Sequence, residues 1–110
     1  MIVKVVHYNP NWPNEFDKEA AKLVLTLGDI VQNLHHIGST AVPGLMAKPI
    51  IDMMPEVSSL ELLDAKSEQM ESLGYEVMGE LGIPGRRYFR KGGDNRTHQI
   101  HAFLSGDPNV

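Results

Sequence analysis

The chain has 110 residues and no cysteine, which excludes disulfides, thiolate metal sites and cysteine nucleophiles and makes a reducing compartment the default. With 42% hydrophobic and 22% charged residues it has the composition of one soluble globular domain spanning residues 1–110. The formal charge of −4 argues against bulk nucleic-acid binding, although Arg86, Arg87, Arg90, Lys91 and Arg96 form a local basic patch suited to a small phosphorylated ligand.

The opening residues Met1–His7 are too short and too polar to be a signal peptide, and no apolar run approaches bilayer length, so the expectation is a cytoplasmic protein without a membrane partner. Residues 2–8 read as a strand or extended arm, closed by the turn Asn9-Pro10-Asn11-Trp12-Pro13. From Asn14, the spacing of Phe16, Ala20, Leu23, Leu27 and Ile30 predicts an amphipathic helix. Glu15, Asp17 and Glu19 stand near its start, where the macrodipole favours acids. The helix frays near Gly28, and residues 33–37 return to an extended form.

Pro49–Met54 reads as a buried strand ending at Pro55. Ser58 with Glu61 fits a capping box for a second helix that stops at Gly74. Residues 75–80, 87–91 and 97–104 read as three strands with antiparallel pairing. The order of elements defines an α+β fold, a small mixed β-sheet with helices on one face.

The segment from His35 to Asp52 carries the chemistry. Gly38 and Ser39 form a turn whose backbone N–H groups can approach a phosphate, and Ser39 and Thr40 add hydroxyl donors. Asp52 lies among Ile50, Ile51, Met53 and Met54 with no obvious structural task, and a carboxylate in such a strand requires a cation or a hydrogen-bond donor. Lys48 is placed to neutralise a phosphate, and Arg86 and Arg87 are candidate phosphate forks. His36, Asp52 and His101 are candidate metal ligands if the fold brings their strands together.

These blocks resemble the GrpB family. The likeness rests on the Gly38-Ser39 segment running to Asp52, on Tyr8–Pro13, Leu73–Tyr75, Gly85–Lys91 and Arg96–His101 in that order, and so covers essentially the whole chain. The resemblance implies a nucleotidyltransferase-like fold in which Gly38 and Ser39 hold nucleotide phosphate, Asp52 holds Mg²⁺, with Mn²⁺ as the alternative, and a nucleotidyl group is transferred. Arg87 would steady the remaining negative charge. GrpB relatives fused to dephospho-coenzyme A kinase hint at a coenzyme A or adenylate ligand. Two departures stand out. Met54 occupies the place of the superfamily's second acid, and Gln99 replaces one of a pair of histidines, which leaves open a catalytically inactive ligand-sensing or protein-interaction domain. Family members usually continue with further helices beyond the final Ser105–Val110 turn. Without them the exposed surface would invite homo-oligomers.

Overall fold

In the computed structural model, which describes residues 4–110, the chain forms a five-stranded mixed sheet with three helices sharing one core. Helix α1 spans Trp12–Leu27. It starts two residues earlier than the spacing predicts, because Pro13 falls in the first turn, where the missing N–H would have no helical partner anyway. Trp12, Glu19, Leu23 and Leu27 are its buried residues. Strand β1 (Val31–Ile37) follows a short 3₁₀ turn and begins earlier than expected, with a bulge between Val31 and Asn33.

Strand β2 (Ile51–Val57) does not stop at Pro55. It lies between β1 and β5 (His98–Leu104), antiparallel to the first and parallel to the second. Pairing with β5 lapses at Met54 and Pro55 and resumes in the same register at Glu56↔Phe103. A proline has no N–H to give the ladder, and the lapse falls at this position on the β5 side while β1 stays paired with it through Leu34. Strands β3 (Tyr75–Val77) and β4 (Arg87–Lys91) complete the sheet, antiparallel to one another and to β5, in the order β1-β2-β5-β4-β3. The expected antiparallel end is present, with β3 shorter than residues 75–80.

The second helix is two helices, α2 (Leu60–Asp64) and α3 (Ser67–Ser72). Ser59, not Ser58, is the N-cap, its Oγ accepting from the Leu62 N–H at 3.1 Å. At the break, the Ser67 hydroxyl takes the Asp64 carbonyl at 2.7 Å, offering the backbone an alternative to a continuous helix. Leu63 and Met70 are both buried in the core with Met53, Val57, Phe89, Ile100 and Ala102.

The opening arm is held by a single antiparallel bridge, with Val6 N–H to Ala47 O at 2.8 Å and Ala47 N–H to Val6 O at 3.0 Å. Residues 2 and 3 of the expected strand lie outside the described residues. Among the described residues no helix is long and apolar enough to cross a membrane.

Beneath α1 lies a buried ionic cluster that ties the helix to the far half of the sheet. Glu19 is 3% exposed, and both its carboxylate oxygens accept from Lys91 Nζ, at 3.0 and 2.9 Å. His98 Nε2 approaches the same carboxylate at 3.4 Å, and Lys91 sits 5.0 Å from the centre of the Tyr75 ring. The Tyr75 hydroxyl is buried with no hydrogen-bond partner among the described residues. Burial and then the Glu19 charge push its ionisation far above the ordinary phenol range.

Candidate functional site

Alternation along β2 puts Ile51, Met53, Pro55 and Val57 into the core and turns Asp52, Met54 and Glu56 to the opposite face of the sheet. On the neighbouring β5, Ile100 and Ala102 face the core, and Gln99 and His101 stand beside Asp52. The loop after β1 then crosses close over Asp52. Gly38 adopts φ 73° and ψ −169°, a region essentially closed to residues with a Cβ. A Cβ built on it would lie 2.9 Å from Asp52 Oδ2. Glycine is thus required twice, for its dihedrals and for the close approach of turn and carboxylate.

The other carboxylate oxygen is held from below. His101 Nε2 lies 3.3 Å from Asp52 Oδ1, and His101 Nδ1 lies 3.4 Å from Arg86 Nη1. A guanidinium can only donate, so Nδ1 must be the acceptor and the ring proton sits on Nε2, where it points at Asp52. Arg86 is itself fixed, 8% exposed, by donating to the Glu80 carbonyl at 3.1 Å and the Leu81 carbonyl at 3.0 Å and by packing 4.8 Å over the Tyr88 ring. The chain Arg86, His101, Asp52 orients the carboxylate with Oδ1 restrained and Oδ2 toward the Gly38 turn.

The space beside this pair is a cleft of about 350 Å³, and Gly38, Ser39, Thr40, Lys48, Asp52 and Gln99 all line it. Five of the residues singled out in the sequence, Gly38, Ser39, Thr40, Lys48 and Asp52, are therefore brought together. Arg86 and Arg87 are not. Arg86 is the buried brace just described. Arg87 forks onto Asp64 of α2, with Nε to Oδ1 at 2.8 Å and Nη2 to Oδ2 at 3.2 Å. The Thr40 hydroxyl is also engaged, at 1% exposure: it donates to the Ile50 carbonyl at 3.3 Å and lies 2.9 Å from His36 Nε2. Its single proton being spent on Ile50, it accepts from His36, which fixes that tautomer too.

His36 is paired with Met53 in the sheet and lies on the core side, where its ring stacks on Phe16 with centroids 4.8 Å apart. It does not join Asp52 and His101, and among the described residues no three histidine or acidic side chains are grouped so as to hold a metal. With its Nε2 proton directed at Asp52, His101 is a hydrogen-bond donor here instead of a ligand. Glu56 shares the Asp52 face but is taken by His35, whose Nε2 is 2.5 Å from its carboxylate. The donor set accordingly does not fit a transition metal held by protein alone. It does fit Mg²⁺, which binds through one or two carboxylates and completes its shell with ligand phosphates and water.

Burial holds the pKa of both His36 and His98 below 6.5, against the opposing pull of Asp52 and Asp17 on the first and of Glu19 on the second. Below pH 6.5 the unfolded chain takes up protons that the folded chain refuses. Their contribution to stability is thus complete above pH 6.5 and lost as the pH falls toward the folded values. The urea midpoint is expected to drop between pH 7.5 and 5.5, each histidine contributing at most about 1.4 kcal/mol per pH unit. In His36→Gln, which keeps a donor for Thr40, the drop should be smaller. An unchanged slope would place the titration elsewhere.

Across residues 2–110 the chain matches the family described as GrpB protein, and it belongs to that family. It is 47% identical over 108 residues to the UPF0157 protein YqkA of Bacillus subtilis, covering 98% of this chain and 32% of YqkA. It is 35% identical to the glutamate-rich protein GrpB of Alkalihalophilus pseudofirmus, covering 90% of this chain and 60% of that protein. The crystal structure of conserved protein GrpB from Enterococcus faecalis superposes with a TM-score of 0.94 at 42% identity, covering 96% of this chain and 64% of the other. The chain thus spans between about a third and just under two thirds of the length of these relatives.

Proposed function

We propose that the domain binds a nucleotide or a related phosphorylated small molecule as its Mg²⁺ complex in the cleft between the Gly38-Ser39 turn and Asp52. The observation that carries this reading is the 2.9 Å approach of a Gly38 Cβ position to Asp52 Oδ2, which leaves a bare backbone turn and an oriented carboxylate facing one cleft. The turn's own hydrogen bonds begin with Ala41 N–H to Gly38 O and Val42 N–H to Ser39 O, so the Ser39 and Thr40 amides precede them and can serve a phosphate. Mg²⁺ would neutralise phosphate charge between the ligand and Asp52, and the exposed Lys48 would add a cation at the rim. Met54 beside Asp52 and Glu56 committed to His35 leave one carboxylate for the metal. That favours ligand binding or sensing over nucleotidyl transfer, which ordinarily uses two metals bridged by acids.

A thermal-shift screen of nucleotides and coenzyme A precursors, each with and without Mg²⁺, tests the reading. A ligand at a hundred times its Kd adds about 2.7 kcal/mol of stability. The expected result is a shift that needs ligand and metal together and disappears in Asp52→Asn. Silence across every pair, or an undiminished shift in the variant, overturns it.

A further inference from the structure

The cleft has a second half that phosphate binding leaves unused. The two backbone hydrogen bonds of the Val6–Ala47 bridge pin the opening arm against the loop that follows the Gly38-Ser39 turn. Val6 and Ala47 turn inward, Ala47 buried and Val6 packed on the core. By alternation their neighbours Val5 and Met46 turn out together on the other side, and both line the cleft that contains Gly38, Ser39 and Asp52. They are 53% and 51% exposed, and Val42 and Leu45 of the same loop are exposed to a similar degree. Lys48, directly after the bridge, lines the same cleft. One rim of a polar, anion-suited cleft is therefore apolar, held in place by the two backbone hydrogen bonds of this bridge, and open to solvent.

Resting on the phosphate-cleft reading above, we infer that Val5 and Met46 form a seat for the planar base of a nucleoside phosphate, whose phosphates lie at the Gly38-Ser39 turn. A ligand that is phosphate alone gains nothing from a valine and a methionine side chain, whereas a ring laid against them removes apolar surface from water on both partners. Methionine suits that role, because its polarisable sulfur makes favourable contacts with aromatic rings. Neither side chain offers a hydrogen-bond donor or a strong acceptor, so the seat reads the face of the ring and not its edge. It distinguishes bases by area, with purines held more tightly than pyrimidines.

Calorimetric titration of the full chain with Mg·ATP, Mg·UTP and Mg·tripolyphosphate tests this, using wild type and the double variant Val5→Ser/Met46→Ser. Both side chains are half exposed and outside the core, so the variant keeps the fold. Wild type is expected to bind Mg·ATP at least about tenfold more tightly than Mg·tripolyphosphate, with Mg·UTP between them. The double variant should bring Mg·ATP down to the tripolyphosphate affinity and leave tripolyphosphate unchanged. If ATP and tripolyphosphate bind wild type equally, or if their ratio survives in the variant, the seat is wrong while the phosphate cleft stands. Binding of none of the three overturns both.

Discussion

Lys91→Met is expected to destabilise the domain by about 3–5 kcal/mol, the cost of leaving a buried charge without its partner. The side chain removed is the one that meets both oxygens of Glu19, itself 3% exposed, at 3.0 and 2.9 Å. For a domain of this size that is a fall in Tm of at least about 12 °C. The loss should depend on pH in a particular direction. In the native chain burial holds the His98 pKa down, Glu19 pulls it up, and Lys91 and Lys22 add to the lowering. Without Lys91 the Glu19 pull is less opposed, so a protonated His98, 3.4 Å from the carboxylate, partly replaces the lost cation at pH 6 and not at pH 8. The double variant Glu19→Leu/Lys91→Met should recover most of the stability, since apolar groups of similar volume commonly replace a buried pair without loss. Thermal melts of the three proteins at pH 6 and pH 8 decide the matter. A single-variant loss below about 1 kcal/mol would show that Glu19 reaches solvent or that Lys22, whose Nζ already lies 3.9 Å from it, takes over.

In the sequence Glu19 is masked by its acidic neighbours. Beside Glu15 and Asp17 it looks like one more acid near a helix start, but α1 begins at Trp12, and Glu19 lies two turns in, on the stripe of Trp12, Phe16, Leu23 and Leu27. A charged residue at an apolar stripe position demands a buried partner, and that much is legible. Which partner is not, because Lys91 lies 72 residues away and is supplied only by the β4–β5 end of the sheet. The same division holds at the cleft. Gly38, Ser39 and Asp52 are legible because turn chemistry and a carboxylate in an apolar strand are local signals. Arg86 and Arg87 read as ligands because their forks suit phosphate, yet the structure spends one on backbone carbonyls and His101 and the other on Asp64. A basic cluster in sequence cannot reveal that Arg86, in the loop before β4, and Arg87, the first residue of β4, each meet partners already waiting. The helix from Ser58 to Gly74 fails for a smaller reason: a single Ser67 hydroxyl competing for the Asp64 carbonyl divides it.

Gly38→Ala separates the two demands that the cleft makes on its glycine. The dihedrals φ 73° and ψ −169° alone should cost about 1–3 kcal/mol for any residue with a Cβ. A methyl 2.9 Å from Asp52 Oδ2 adds an overpacking penalty of about 1–3 kcal/mol more, because Oδ1 of that carboxylate is restrained by His101 and the group cannot simply rotate away. In the background Asp52→Ala the clashing oxygen is gone, the nearest remaining contact, to the Asp52 Cβ position at 3.4 Å, is ordinary, and only the dihedral cost should persist. A double-mutant cycle by urea unfolding is therefore expected to give a coupling of about 1–3 kcal/mol between positions 38 and 52. Additive losses would mean that turn and carboxylate do not press on each other. Coupling of the expected size would make ligand binding fail in Gly38→Ala even where enough folded protein remains to measure it, because the turn could then approach Asp52 only by displacing the oxygen that faces the cleft.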